Sequence, residues 1–443
     1  MGRLRGTRLS VSPADAAADH EVKLLSFVGV AFMMIAACLG YWVHSSTRLG
    51  RRGRLCVLSL LGLGIVLAPF AVISAYGPLR SKMAHFTLSF FGVMGGFRMI
   101  ELICGTGPKG FDKSFKHFVI YFASPAEVLF DEKGRLQAAP PGLMAELLLR
   151  IAAHMALGTV LLSFGKATDF APLLGPGTDL GALPFLGFPA SLPAVYLQAA
   201  FVYCMLATSM LMHRLPTTLL DIGTAEPMRA PLLLSTSIRD FWGRRWNLII
   251  HRLMKRTFFA PLANRSAAAR HVGGLLAFVI SGLFHEYMWL VVNWPHMCGY
   301  TPGQPTLFFL VQFLLCAVEA ALADTSLGRA CAGLPRPLKT VGVTCLILPM
   351  GPLFLRGLHT GGMMAQCAEQ GQTLEVLPRG GAAASIGEEM GWPPLDWALV
   401  AAAGFLALGY EAWKLRRRVL PAARGASKVC VMLPTSTQPL AGG

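Results

Sequence analysis

The stretch GGLLAFVISGLFHEYMWLVVNW, Gly273–Trp294, contains only two strongly ionisable residues, His285 and Glu286. The hydrocarbon core of a bilayer is about 30 Å thick, and a helix of ~20 mostly apolar residues crosses it. Lipid offers the backbone no partners, so a segment of this kind satisfies its own N–H and C=O groups as a helix. Working outward, runs of similar length and polarity recur at 24–44, 55–76, 84–104, 147–166, 190–213, 271–292, 305–323, 340–358 and 396–413. These predict an all-α, polytopic integral membrane protein of about nine transmembrane helices. A polar tail at 1–23 precedes the membrane domain at 24–413, and a basic tail at 414–443 follows it.

Composition agrees with that reading. Of 443 residues, 54% are hydrophobic and 14% charged, against roughly 25% charged in a soluble domain. The net charge of +16 is carried by loops that border the apolar runs. This favours anionic lipid headgroups and an anionic substrate over nucleic acid. Ten cysteines occur without a C-x-x-C pair, so neither a disulfide framework nor a metal site is indicated.

Basic loops at 48–54, 105–146, 214–270 and 325–339, with the tail after Trp413, alternate with base-poor loops at 167–189, 293–304 and 359–395. Positively charged loops stay in the cytosol. The C-terminus is therefore expected in the cytosol and the N-terminus across the membrane. Arg80 and Lys82 in the loop at 77–83 fit this pattern poorly. Cys298 and Cys367 would face the far side, where a disulfide between them is chemically permitted.

The longest basic loop carries STSIRDFWGRRWNLIIHRLMKRTFFAPL, Ser235–Leu262. Ser235 or Ser237 can cap a helix, and no proline interrupts until Pro261. Trp242 and Trp246 stand four apart, as do Asn247 and His251, so a regular helix puts each pair on one face. The prediction is one basic, aromatic, amphipathic helix. It could lie in the headgroup region, or its Arg and Lys residues could hold the phosphates of CoA. One reading does not exclude the other.

His285 is the sharper feature. An ionisable residue in mid-span is costly and faces the bundle interior or a wet cavity. The bland alternative is a histidine satisfied by an interhelical hydrogen bond. Glu286 projects about 100° away and is not expected to touch the same imidazole. Arg98 with Glu101, and Glu146 with Arg150, have the spacing of ion pairs within a helix. His154 reads as a core histidine, and Glu319 and Asp324 as the end of a helix. The sequence contains no G-x-S-x-G elbow, phosphate-binding loop, H-E-x-x-H or His-x4-Asp pattern. It also lacks the His-His-x3-Asp-Gly of the soluble wax ester synthases.

SIRDFWGRRWN, followed some forty residues later by SGLFHEY, resembles the wax synthase branch of the membrane-bound O-acyltransferases. The likeness is concentrated in 235–290, and LPMGPLFLR (Leu348–Arg356) looks like a later segment of the same enzymes. The Phe-Tyr-x-Asp-Trp-Trp-Asn motif of the diacylglycerol and sterol enzymes is absent. The resemblance implies a buried chamber in which a fatty acyl-CoA, as co-substrate with no separate cofactor, is joined to a long-chain alcohol. It places the catalytic histidine at His285 and the active-site asparagine at Asn247. Arg244, Arg245, Arg252 and Lys255, with Trp242 and Trp246, are the candidates for binding acyl-CoA, and His251 and Glu286 for supporting positions. The endoplasmic reticulum is the expected membrane. Sterol, diacylglycerol or terpenoid acceptors, the last with acetyl-CoA as donor, remain open, as does a transporter that performs no chemistry.

Overall fold

In a computed structural model, the described residues are 13–167 except 78, 188–295, 301–360, 362–363 and 366. The helices, in chain order, begin with α1 (Pro13–Ser45), α2 (Arg51–Tyr76), α3 (Lys82–Cys104), α4 (Phe115–Ala123), α5 (Leu143–Ala167) and α6 (Phe188–Met212). Short elements follow: α7 (Leu215–Leu219), α8 (Pro231–Leu234), α9 (Ile238–Asp240), α10 (Leu248–Met254) and α11 (Ala260–Ala263). The set closes with α12 (Ala267–Asn293), α13 (Gln304–Leu322), α14 (Ser326–Gly333), α15 (Arg336–Ile347) and α16 (Gly351–Thr360). Among the described residues there is no β-strand.

Eight stretches are long and apolar enough to cross a bilayer. They coincide with the first eight runs expected from sequence. The ninth, 396–413, lies outside the described residues, as do the tail at 414–443 and Cys298, Cys367 and Cys430. The last span is built from two helices, α15 and α16, joined through Leu348–Met350. α1 begins eleven residues ahead of its apolar run, so the end of the supposed polar tail is helical.

Local chemistry sets several helix ends. Ser81, Ser114 and Ser266 cap α3, α4 and α12, accepting from the backbone N–H groups of Ala84, His117 and Ala269. α3 stops at Gly105, whose φ of +65° suits a residue without Cβ. α3 is the centre of the bundle and packs on α1, α2 and α12. It is 72% buried where α1 and α2 are 22% buried, so those two helices give most of their surface to lipid.

Buried charges lock the loops to the bundle. Arg98 on α3 pairs with Glu101 at 3.0 Å, the spacing expected from sequence. Arg256 extends that pair by bonding Glu101 at 2.7 Å and Glu127 at 2.6 Å. Tyr121 on α4 donates to Glu101 at 2.6 Å. Burial alone would raise the pKa of Glu127, but Arg256 and Arg98 outweigh it and hold the carboxyl below its usual range. Arg150 reaches Glu146 only at 3.8 Å. Its closer partner is Glu226 at 2.7 Å, which Arg214 also contacts at 3.2 Å.

The structure corrects the prediction of one continuous helix over 235–260. After α9 the chain widens into a π-turn at Phe241–Arg245 and then breaks. Trp246 is extended, and Asn247 takes a left-handed conformation with φ +39°. Asparagine tolerates that region better than most residues. The preceding strand of loop pins the break. Arg229 N–H donates to the Arg245 carbonyl at 3.0 Å, and Leu248 N–H to the Pro227 carbonyl at 2.8 Å. α10 resumes at Leu248, and a second π-turn, Lys255–Phe259, leads into α11.

This segment does not lie on a surface. Phe241, Leu248, Ile249, Leu253 and Met254 are buried, and Trp242 donates from Nε1 to Gln312 of α13 at 3.2 Å. It is a folded insert among α6, α12 and α13.

Candidate active site

α12 carries His285 into the wall of a cavity of about 1170 Å³. That exceeds the roughly 300–1,000 Å³ of an ordinary small-molecule pocket. The lining is mostly apolar, drawn from α1, α3, α4, α5, α6, α12, α13 and the insert. His285 is half-buried, and its ring faces this chamber. Nδ1 sits 2.6 Å from the Ser281 carbonyl one turn back. A carbonyl only accepts, so Nδ1 holds the hydrogen and the lone pair is left on Nε2. Nε2 has no hydrogen-bond partner among the described residues. Phe309 stacks on the imidazole at 4.7 Å, and Phe354 meets it edge-on at 4.9 Å. Phe284 stands on its other side. This cage fixes the ring and keeps its surroundings apolar.

Asn247 enters the same wall from the break in the insert. Its Oδ1 accepts from Ile250 N–H at 3.4 Å and so caps α10. Its amide N–H groups have no partner among the described residues. The left-handed residue that ends one helical piece and starts the next therefore also presents a donor to the chamber. Trp242 and Trp246 line the chamber beside it, their rings 6.3 Å apart.

A side pocket of about 60 Å³ adjoins this point, lined by Asn247, His251, Ser281 and His285 among others. A buried water needs about 10–15 Å³ by this measure, so there is room for more than one. His251 stands in that pocket, one turn after Asn247, and its ring makes no hydrogen bond with another described residue.

The remaining candidates are placed differently. Glu286 turns away from His285. Its Oε1 accepts from Gly303 N–H, Thr306 N–H and the Thr306 hydroxyl, each at 3.0 Å. It thereby caps the positive end of α13. Of the four basic residues, Arg244 is exposed. Arg245 pairs with Asp240 at 2.6 Å, and Arg252 donates to the Glu226 carbonyl at 3.0 Å. Lys255 is half-buried at the start of the second π-turn. None of the four lines the chamber.

Sequence reasoning missed the aromatic cage, since Phe309 and Phe354 come from separate helices. It also missed His213 on the far wall. A histidine four residues after Ser209 in an apolar run was the available signal.

The helical bundle thus holds the His285 imidazole and the Asn247 amide on the wall of one large chamber among candidate membrane spans. The sequence profile of the membrane bound O-acyl transferase family matches residues 225–311, which span the insert, His285 and the start of α13. "Probable long-chain-alcohol O-fatty-acyltransferase 8" of Arabidopsis thaliana is 26% identical over 362 residues, 79% of this chain and 95% of that protein. "Probable long-chain-alcohol O-fatty-acyltransferase 9" of the same plant is 33% identical over 108 residues, 30% of its length. "Acyl-CoA--sterol O-acyltransferase 1", also from Arabidopsis thaliana, is 34% identical over 110 residues, 30% of its length. The chain carries the sequence profile of the membrane bound O-acyl transferase family over residues 225–311, is similar along most of its length to long-chain-alcohol O-fatty-acyltransferases, and is an acyltransferase.

Proposed function

We propose that this enzyme transfers a fatty acyl group from acyl-CoA to the hydroxyl of a long-chain alcohol, forming a wax ester. The observation that carries the reading is the single chamber into which both the Nε2 lone pair of His285 and the free amide of Asn247 open. Its long apolar walls suit two hydrocarbon chains.

In the proposed reaction the alcohol hydroxyl gives its proton to His285 Nε2 as its oxygen attacks the thioester carbonyl. General-base help of this kind is typically worth ~10²–10⁴ in rate. The carbonyl oxygen becomes an oxyanion, and the Asn247 amide donates to it. Collapse breaks the carbon–sulfur bond and expels CoA thiolate, which takes the proton from the imidazolium. The products are ester, CoA thiol and neutral His285, with no acyl-enzyme.

His251, Ser281 and the waters their pocket can hold would support the Asn247 amide from behind. Glu286 would act by holding α12 to α13. Trp242, Trp246, Arg244, Arg245, Arg252 and Lys255 lie in or beside the insert, where Arg244 is open to meet the CoA phosphates. The other three would shape the basic surface around it. The alternation of basic and base-poor loops supports a cytosolic face for the insert and for the C-terminus. The endoplasmic reticulum, where acyl-CoA and lipid alcohols meet, is the proposed membrane.

The test is acyl transfer in microsomes from labelled acyl-CoAs, with fatty alcohol, sterol, diacylglycerol and terpenoid acceptors offered together. Fatty-alcohol esters should dominate and vanish in His285→Ala. Predominant sterol esters would instead align the enzyme with its sterol-acylating relative. No transfer to any acceptor would refute the reading.

A further inference from the structure

Several polar side chains on the chamber wall are satisfied within the protein. Ser26, Thr87 and Thr217 bond backbone carbonyls of their own helices, and Ser124 bonds the Ala126 carbonyl. His154 lies 2.7 Å from the Arg150 carbonyl and 3.2 Å from the Tyr203 hydroxyl. His213 is different. It lines the chamber at the junction of α6 and α7 and stacks on Phe90 of α3 at 5.3 Å, with the rings 2° from parallel. Neither ring nitrogen has a hydrogen-bond partner among the described residues. Ser209, one helical turn earlier on the same face, also lines the chamber and makes no side-chain hydrogen bond. An imidazole held flat by an aromatic ring, with its nitrogens unanswered beside an unanswered hydroxyl, leaves a polar pair for a ligand to complete. Left unpaired away from water, such groups are destabilising.

The ligand follows from the proposed function, on which this step rests. The reacting hydroxyl and thioester belong at His285 and Asn247, and hydrocarbon chains have nothing to offer an imidazole. The remaining polar groups that enter a chamber of this kind are the two secondary amides of the CoA pantetheine arm. His213 is also on the correct side. It stands just past Met212, where α6 ends. That end leads into the 214–266 loop and insert, the side from which CoA would enter.

We propose that His213 and Ser209 form a second polar subsite of the chamber that hydrogen-bonds an amide of the pantetheine arm. A neutral imidazole can donate to the amide carbonyl or accept from its N–H, and the Ser209 hydroxyl can serve the other group. An acceptor carrying a second oxygen would present similar chemistry, so the experiment separates the two sources.

The purified full-length protein is titrated with two unreactive thioethers, S-alkyl-CoA and the same alkyl chain on ethanethiol, which has no amide. Binding needs no turnover, so the result stands whether or not wax esters are the product. His213→Phe keeps the ring on Phe90 and removes the hydrogen bond. It should weaken S-alkyl-CoA about 2- to 13-fold, the equivalent of one hydrogen bond of ~0.5–1.5 kcal/mol. His213→Gln should restore most of the loss, and the amide-free thioether should bind both proteins alike. If the phenylalanine variant does not fold, Ser209→Ala carries the same comparison with a two- to threefold effect. Equal weakening of both thioethers, or of neither, overturns the proposal. So does weakening confined to an alcohol with a second oxygen, which would assign the subsite to the acceptor.

Discussion

Replacing Asn247 separates its chemical role from its structural one, because the residue does two structural jobs as well. Its Oδ1 caps α10 through a long 3.4 Å bond, and loss of a cap typically costs ~1 kcal/mol. Its backbone sits at φ +39°, where residues other than Gly, Asn and Asp lose roughly 1–2 kcal/mol. Asn247→Ala should therefore destabilise the protein by about 2–3 kcal/mol in sum, whatever the amide does in catalysis. Asn247→Gly restores the backbone freedom and costs only a few tenths at the cap. Asn247→Asp keeps the cap and much of the left-handed tolerance but has no N–H to donate. Removal of one oxyanion donor costs ~2.7–4 kcal/mol, or 10²–10³ in kcat. If the amide is that donor, the Gly and Asp variants lose this factor while melting close to wild type in detergent. The assay is initial-rate acyl transfer with melting followed in parallel. Activity of the Gly or Asp variant within about threefold of wild type would refute the assignment and leave Asn247 as a hinge.

His285→Gln should lower kcat by ~10²–10⁴ while thioether binding persists; a change in binding alone would remove it as the base. Glu286→Gln should lower stability by ~1–2 kcal/mol through the cap of α13, as for other charged hydrogen bonds, with little change in kcat. A kcat loss without destabilisation would reinstate it beside the imidazole. Arg256→Met should destabilise by about 3–5 kcal/mol because it leaves two buried carboxylates, Glu101 and Glu127, to the single cation Arg98; melting in detergent checks this. The Glu127 contribution has a depressed folded pKa. It should be fully present above an unfolded value near 4.5 and be lost as the pH falls below it through the folded pKa, which melting across pH 3–6 would reveal. An impermeant thiol reagent should label exposed Cys331 on α14 in sealed microsomes, and protection until the membrane is opened would reverse the assigned orientation.

The amino-acid sequence by itself determined the spans. Crossing hydrocarbon demands about twenty apolar residues and internally satisfied backbone, and both are properties of a local window. The eight described spans therefore fall where composition puts them. His285 was legible for the same reason, since an ionisable residue in such a window is conspicuous, and so was the short-range pair Arg98–Glu101. The break at Trp246–Asn247 was not. Its local sequence permits a regular helix, and the hydrogen bonds that turn it come from Pro227 and Arg229, some twenty residues away. Arg150 likewise had a plausible neighbour in Glu146, but its closer carboxylate is Glu226, brought in by the loop after α7. The cage of Phe309 and Phe354 around His285, and the stacking of Phe90 on His213, each join helices far apart in the chain. Tertiary structure alone decided those features. Hydropathy says that a segment is buried in the membrane, whereas side-chain packing and charge pairing depend on which neighbour it is buried against.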